Sequence, residues 1–468
     1  MSLMRQLHRV SLSTHCLHPC DLIGLLGATA RRRVRVYVVG VVGYLAAGSA
    51  LGTEAWEFPT GDMTLSPSGP LTDPLMVPTS KRSMPAARPG SDTYTYLRCW
   101  YRISDNPLEP KATYAWALDP GSGDWYRVPG YWWADGITKW SNMFYSQIRQ
   151  ERLLEVCRKT LDAQGIRRDV TQAVAANNRL SFNYTIWTLD TPQQTQRPNK
   201  LIVFGDSLSD TLNMYNASQW KLPNSARWHA GRFSNGPVWV EYLAKTLQLP
   251  FYNWATGGAA TDKYHVVPGL RQQVESWHAY MRRAPNYRIE NTLFMMFAGG
   301  NDLINYGRSP EQAANAVRDS LDRLARSGAT HVMLINLPDV SRAPMFRSRR
   351  DAAKVAKQVK DYNHRLAEVV SELRSFYGAT LNLRLFDSYA LFDDLLTQPA
   401  RYGFENAHQS CLEIGNGSAL TYVSAPNPRR KCHDPARFVF WDTLHPTTRT
   451  HEWLAHYLEE DVRRNMRD

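Results

Sequence analysis

The chain has 468 residues, 55 Lys plus Arg against 43 Asp plus Glu, a formal charge of +12 and 43% hydrophobic content. That length exceeds one small core and accommodates two or three globular units. The basic balance is compatible with anionic lipid headgroups. It argues against nucleic acid as a partner, because no DNA- or RNA-recognition motif accompanies the charge.

The first 52 residues hold six arginines, at 5, 9, 31, 32, 33 and 35, and one acid, Asp21, so a charge of about +7 remains beyond them. The run "RRRVR" is followed by the uncharged "VYVVGVVGYLAAGSALG", which resembles the basic, apolar and cleavage regions of an export signal. The stretch is short for a membrane span, which needs about 20 apolar residues; an uncleaved single-span anchor is the alternative. About thirty residues precede the Arg cluster, more than such a leader normally carries, so the true start lies downstream or the leader is extended. Residues 1–52 are therefore expected to be a leader and the product to be secreted. Residues 53–91 are rich in Pro, Ser, Thr and Gly ("SPSGPLTDPLMVPTSKRSMPAARPGS") and read as a linker or propeptide.

Residues 92–198 change character. "YTYLRCWYR", "TYAWALD", "DWYRVPGYWWADG" and "KWSNMFYSQ" are aromatic runs separated by Gly, Pro and Asp, the pattern of a small β-containing module with hairpins. A helical stretch from Glu151 to Ala163 follows and carries Cys157. Tyr131, Trp132, Trp133 and Trp140 would form either the core of this module or a membrane-interface surface, since such rings join an apolar body to a polar tip.

Residues 199–468 alternate strand and helix. The predicted strands are Leu201 to Phe204, Phe251 to Trp254, Thr292 to Ala298, His331 to Leu337 and Leu381 to Phe386. Val355, Val359, Tyr362, Leu366, Val369 and Leu373 recur at helical spacing, which predicts an amphipathic helix over Ala352 to Phe376. The pattern is that of a doubly wound, mostly parallel α/β sheet. Cys16 and Cys20 would leave with the leader, so Cys99, Cys157, Cys411 and Cys432 form an even set. Two local disulfides, 99 with 157 and 411 with 432, are the simplest pairing, and the other connectivities stay open. No Cys-x-x-Cys or His-x-x-x-His spacing points to zinc, and neither a metal nor another cofactor is expected.

Chemistry-bearing residues sit at the ends of these strands, where ligands bind in open α/β sheets. "LIVF" stops on Gly205-Asp206-Ser207; "FYNWA" is followed by Thr256-Gly257-Gly258; "TLFMMFAGG" ends at Asn301-Asp302; and "FVFW" runs into Asp442-Thr443-Leu444-His445. Acyl transfer needs a nucleophile, a base, an acid that orients the base, and donors for a tetrahedral oxyanion. All four are represented. Asp206 and Asp210 read as turn braces, and His451, a rival base without a carboxylate three residues before it, reads as structural.

Four ordered blocks, "FGDSLSDT", "NWATGGAA", "GGND" and "DTLH", resemble the GDSL, or SGNH, family of serine esterases and lipases. The resemblance implies a flavodoxin-like fold, Ser207 as nucleophile, His445 as general base and Asp442 as its orienting acid. It also implies an oxyanion hole from the Ser207 and Gly258 N–H groups and the Asn301 side chain, with Gly257 competing for the Gly258 role. From about Asp92 onward, "TYTYLRCWYR", "GYWWADG", "GRFSNGPVWVEYLA" and "FVFWDTLHPTTRTH" are similar to the two-domain thermolabile, lecithin-dependent haemolysins; glycerophospholipid-cholesterol acyltransferases are similar in the catalytic domain. Implied are a secreted phospholipase A and lysophospholipase acting at membrane surfaces, haemolysis, and acyl transfer to an alcohol. One departure is Leu212, where the family usually has Gly; it is expected to narrow or re-aim the cleft beside Ser207. The competing readings are a short-chain or carbohydrate esterase using the same site, and a pore-forming toxin whose lysis needs no catalysis.

Overall fold

The computed structural model describes residues 94–133, 143–176, 183–188, 198–281, 284, 287–347, 349–415 and 419–466. The leader, the Pro-rich segment and Trp140 lie outside the described residues, as do the side chains of Trp132 and Trp133.

The N-terminal part is built on β1 (Tyr94–Arg102), which pairs antiparallel with β2 (Ala112–Trp116), β3 (Arg127–Pro129) and β6 (Val170–Ala176). A second, three-stranded sheet joins β4 (Tyr131–Trp133), β5 (Met143–Ser146) and β7 (Thr185–Thr188) in that order. Helix α1 (Gln150–Ala163) buries Leu153, Val156, Cys157 and Leu161 against these strands. A disulfide between Cys157 and Cys99 of β1 clamps helix to sheet.

The larger part is a parallel sheet of β8 (Lys200–Gly205), β9 (Phe251–Asn253), β10 (Thr292–Phe297), β11 (His331–Ile335) and β12 (Asn382–Phe386). Its order is β12-β11-β10-β8-β9, the 2-1-3-4-5 arrangement of flavodoxin-like folds. All five predicted strands occur, with ends shifted by one or two residues. β8, β10 and β11 are buried along their whole length, as their uninterrupted apolar sequences require of strands covered on both faces. The connecting helices are α2 (Asn213–Ala217), α3 (Trp239–Leu247), α4 (Leu270–Met281), α5 (Pro310–Arg326) and α6 (Ala352–Tyr377). Helix α6 buries the six residues whose spacing predicted it. Helix α5 starts on a capping box, in which Ser309 and Gln312 each accept the other's backbone N–H, with Pro310 at its first position. Helices α7 (Ser388–Thr397) and α8 (Thr448–Asn465) complete the layer order.

Two expectations are corrected. "FVFW" does not end a strand of the central sheet: β14 (Phe438–Phe440) pairs in parallel with β13 (Asn406–Ser410) in a separate two-stranded sheet. The segment between these strands is closed by the disulfide Cys411–Cys432, whose cysteines pack with Leu412, Phe438 and Trp441. Leu212 does not line the cleft. It is 6% exposed and packs with Tyr215, Trp220 and Ala230 into the aromatic cluster of Tyr96, Trp100, Tyr114 and Trp116. A branched side chain suits this position because it faces the N-terminal sheet.

That seam is extensive. The Arg98 guanidinium lies 4.7 to 5.2 Å from the ring centres of Tyr114, Trp116 and Trp220 and donates to Asn183 Oδ1. The Asn183 backbone N–H in turn donates to Asn216 Oδ1 on α2.

Candidate active site

The sheet order reverses between β8 and β10, and the crevice at that switch point is where ligands enter such folds. At the end of β8, Gly205 exchanges hydrogen bonds with the Gln273 amide of α4. A Cβ on Gly205 would lie 2.4 Å from the Phe297 carbonyl of β10, so only glycine lets the two strand ends close there. The chain then turns through buried Asp206 to half-buried Ser207.

The Ser207 Oγ is 2.8 Å from His445 Nε2. His445 Nδ1 lies 2.9 Å from Asp442 Oδ2 and 3.1 Å from Oδ1. A carboxylate only accepts, so Nδ1 carries the proton and Nε2 presents its lone pair to the hydroxyl. Asp442 is fully buried and fully satisfied. Its Oδ1 accepts the Leu444 and His445 backbone N–H groups at 2.8 Å, and its Oδ2 accepts Trp228 Nε1–H at 3.0 Å. The imidazole stands between Phe233 and Tyr422, with ring centres 5.1 and 5.4 Å away, and the Tyr422 hydroxyl is 3.2 Å from Nδ1. The Cys411–Cys432 bridge packs with Trp228 and Trp441 in one cluster, and Tyr422 leans on it from the segment the bridge closes.

The backbone N–H groups of Ser207 and Gly258 have no hydrogen-bond partner among the described residues. The Gly257 N–H, by contrast, is committed to Asp210 Oδ2 at 2.7 Å. Gly258 has φ +78°, a left-handed conformation that costs glycine nothing. Asn301 donates one amide hydrogen to the Ala259 carbonyl at 2.9 Å, accepts from Asn305, and retains a second hydrogen. It and Ser207 line the same cavity. The Tyr306 hydroxyl donates to the Gly258 carbonyl at 2.6 Å and its ring stacks on Tyr264.

The buried carboxylates around the site are braces. Asp210 accepts from the N–H groups of Leu212, Asn213, Met214 and Gly257, stitching the Ser207 loop to the glycine turn. Burial pushes its pKa up to about 6, opposed by those four donors. Asp206 accepts the Leu208 N–H, and burial pushes it up to about 7, against the pull of His445. Asp302 is also raised by burial while it holds Thr261 and Arg308.

Ser207 and His445 line a cavity of about 800 Å³ of empty space, open solvent at its mouth included. Its wall is mainly apolar, with Phe297, Ile304, Phe392, Leu396 and Leu454 among the contributors. His451 of α8 lies in that wall rather than beside Ser207's hydroxyl, whose partner is His445. Trp228, Tyr422 and Tyr306 escape sequence reasoning: each sits outside the four blocks, and Trp228 is 214 positions from the aspartate it serves. Among the described residues no cluster of His, Cys, Asp and Glu has metal-site geometry, and no helix is long and apolar enough to cross a membrane.

Residues 201–458 match the family model described as GDSL-like lipase/acylhydrolase, and residues 64–189 match the N-terminal domain of the Vibrio dual lipase/transferase. The thermolabile hemolysin of Vibrio parahaemolyticus serotype O3:K6 is 40% identical over 376 residues, covering 79% of this chain and 88% of that protein. The phosphatidylcholine-sterol acyltransferase of Aeromonas hydrophila is 29% identical over 306 residues, covering 55% of this chain and 88% of that one. GDSL esterase/lipase 6 of Arabidopsis thaliana is 26% identical over 321 residues, covering 57% and 88%. The chain belongs to the GDSL-like lipase/acylhydrolase family and is a carboxylic ester hydrolase.

Proposed function

We propose that this esterase is a secreted phospholipase A and lysophospholipase that works through Ser207, His445 and Asp442 at a membrane surface. The observation that carries the reading is the 2.8 Å contact of Ser207 Oγ with His445 Nε2 in the lining of a mainly apolar cavity, a wall that suits an acyl chain better than a sugar. In the proposed reaction His445 takes the Ser207 proton as Oγ bonds to the ester carbonyl carbon. The oxyanion is met by the N–H groups of Ser207 and Gly258 and the free Asn301 amide hydrogen. His445 then protonates the leaving glyceryl oxygen, and the C–O bond breaks to leave an acyl-serine. Water, or an alcohol in acyl transfer, attacks that ester with His445 again as base, and releases the acid or the new ester.

Export is supported by the two disulfides, since such bonds persist in oxidising compartments. Residues 92–198 and 199–468 are proposed as the two units of the mature enzyme, behind a leader at 1–52 and a linker at 53–91. Mass spectrometry of phosphatidylcholine vesicles incubated with native and Ser207→Ala protein tests the function. Release of fatty acid and lysolipid by the native protein alone is expected, with an organophosphonate probe labelling Ser207. Equal lysis of cells by both proteins would favour the pore-forming reading, and turnover restricted to soluble short-chain esters would favour the short-chain one.

A further inference from the structure

Seven polar residues line the cavity behind Ser207: Asp206, Ser207, Asn301, Asp339, His445, Thr450 and His451. Six have hydrogen bonds. Ser207 and His445 pair with each other, Asp206 holds the Leu208 N–H, and Asn301 holds the Ala259 carbonyl. Asp339 holds Ser341, and Thr450 donates to the Val439 carbonyl. His451 is the exception: it is 2% exposed, Nδ1 is buried without a partner, and no hydrogen bond reaches either ring nitrogen among the described residues. Burial, with His445 nearby, pushes its pKa down to about 3, so the ring is neutral, with one nitrogen a donor and the other an acceptor.

An imidazole whose Nδ1 is buried without a partner is costly in an apolar wall, where a leucine would complete the packing, and its Nε2 is engaged by no group among the described residues. A polar group that enters the cavity can pair with the ring nitrogen that is not enclosed. An unsubstituted alkyl chain cannot. A hydroxyl can, because it donates to one kind of imidazole nitrogen and accepts from the other.

We propose that His451 is a specificity residue that recognises a hydroxyl group carried on the acyl chain, making hydroxyacyl esters a preferred substrate class. This rests on the reading of the cavity as the acyl site of the Ser207 esterase. The discrimination is one-directional. A hydroxyl placed against the apolar stretches of the wall enters unpaired, while one at the level of His451 exchanges its water for the imidazole.

The test is a set of nitrophenyl esters of one chain length, unsubstituted or hydroxylated at successive carbons, compared by kcat/KM on the native protein. The expected profile has one favoured position, hydrolysed at least as fast as the unsubstituted ester, and other internal positions slower by roughly tenfold, the scale set by burying an unpaired hydroxyl. In His451→Leu the favoured position should lose roughly tenfold relative to the unsubstituted ester, and His451→Asn should keep much of the preference. A native profile with no favoured position overturns the proposal without needing any variant to fold, and so does an unchanged ratio in His451→Leu. Hydrolysis of the unsubstituted ester, lost in Ser207→Ala, is the separate readout of the esterase site: if that fails, the underlying reading fails, and if only the position profile is flat, the inference about His451 fails alone.

Discussion

Replacing Asp442 by Asn changes one oxygen to an NH₂ and leaves the shape of the side chain intact. The consequence follows from four donors that converge on the carboxylate. Oδ1 takes two backbone N–H groups at 2.8 Å, and Oδ2 takes Trp228 Nε1–H and the His445 imidazole. The amide oxygen will stay with the two backbone donors, which puts NH₂ against the Trp228 N–H and His445 Nδ1. Nδ1 must then accept, so the proton moves to Nε2, the nitrogen 2.8 Å from Ser207 Oγ. A histidine protonated there cannot take the serine proton. The expected fall in kcat is about 10⁴-fold, the size of the same substitution in a serine protease triad, with KM for a soluble nitrophenyl ester changed far less. The Trp228 donor left facing an NH₂ should also cost about 1 to 3 kcal/mol of stability. The double variant Asp442→Asn, Trp228→Phe removes that clash and should regain denaturant resistance without regaining turnover. A single variant within tenfold of native kcat would refute the tautomer argument, as would recovery of turnover in the double variant.

In the proposed mechanism Asn301→Ala removes an oxyanion donor, so kcat should fall roughly a hundredfold or more with a smaller change in KM; a rise in KM alone would make Asn301 a substrate-binding residue. Leu212→Ala should lower stability by about 2 to 5 kcal/mol in denaturant titration, as for other buried leucines, and leave chain-length preference unchanged; an altered preference would return Leu212 to the cleft. Asp206→Asn should gain stability relative to native protein as pH rises. The folded carboxyl, at about 7, binds its proton more tightly than the unfolded one at about 3.9, so the native protein loses this contribution between about pH 4 and pH 7 and no further above it. Variant-minus-native denaturation midpoints that stay constant from pH 4 to pH 8 would contradict the burial argument.

What was legible in the sequence is local. Gly205-Asp206-Ser207, Gly257-Gly258, Asn301 and Asp442 with His445 each announce themselves within a few residues of a strand-like run, because a strand end, a turn and a reactive group must be neighbours in the chain. The helix from Ala352 and the sheet strands were readable for the same reason, since periodicity is a short-range property. β14 misled because three apolar residues in extended form look alike in any sheet, and only the partner β13 and the Cys411–Cys432 closure decide which sheet they join.

Leu212 shows where the remaining information lies. On its own it is a bulky residue two positions after Asp210 and five after Ser207, and proximity in sequence suggests proximity to the cleft. The loop, however, has two faces. Asp210 turns its carboxylate toward Gly257 and the N–H groups that open α2, and this leaves Leu212 on the opposite side, where Tyr96, Trp100 and Tyr114 cover it. Those rings lie about a hundred positions upstream, in a sheet whose own apolar faces are divided between its core and this seam. Rings of the N-terminal part other than Tyr131, Trp132, Trp133 and Trp140 therefore have a destination of their own. Tyr96, Trp100, Tyr114 and Trp116 are spent on the hydrolase loop and on the Arg98 guanidinium, and the N-terminal part thereby holds the segment that carries Ser207. A family glycine at position 212 would leave this seam unfilled, so the departure from the pattern is explained by what packs on the loop and not by the ester it faces.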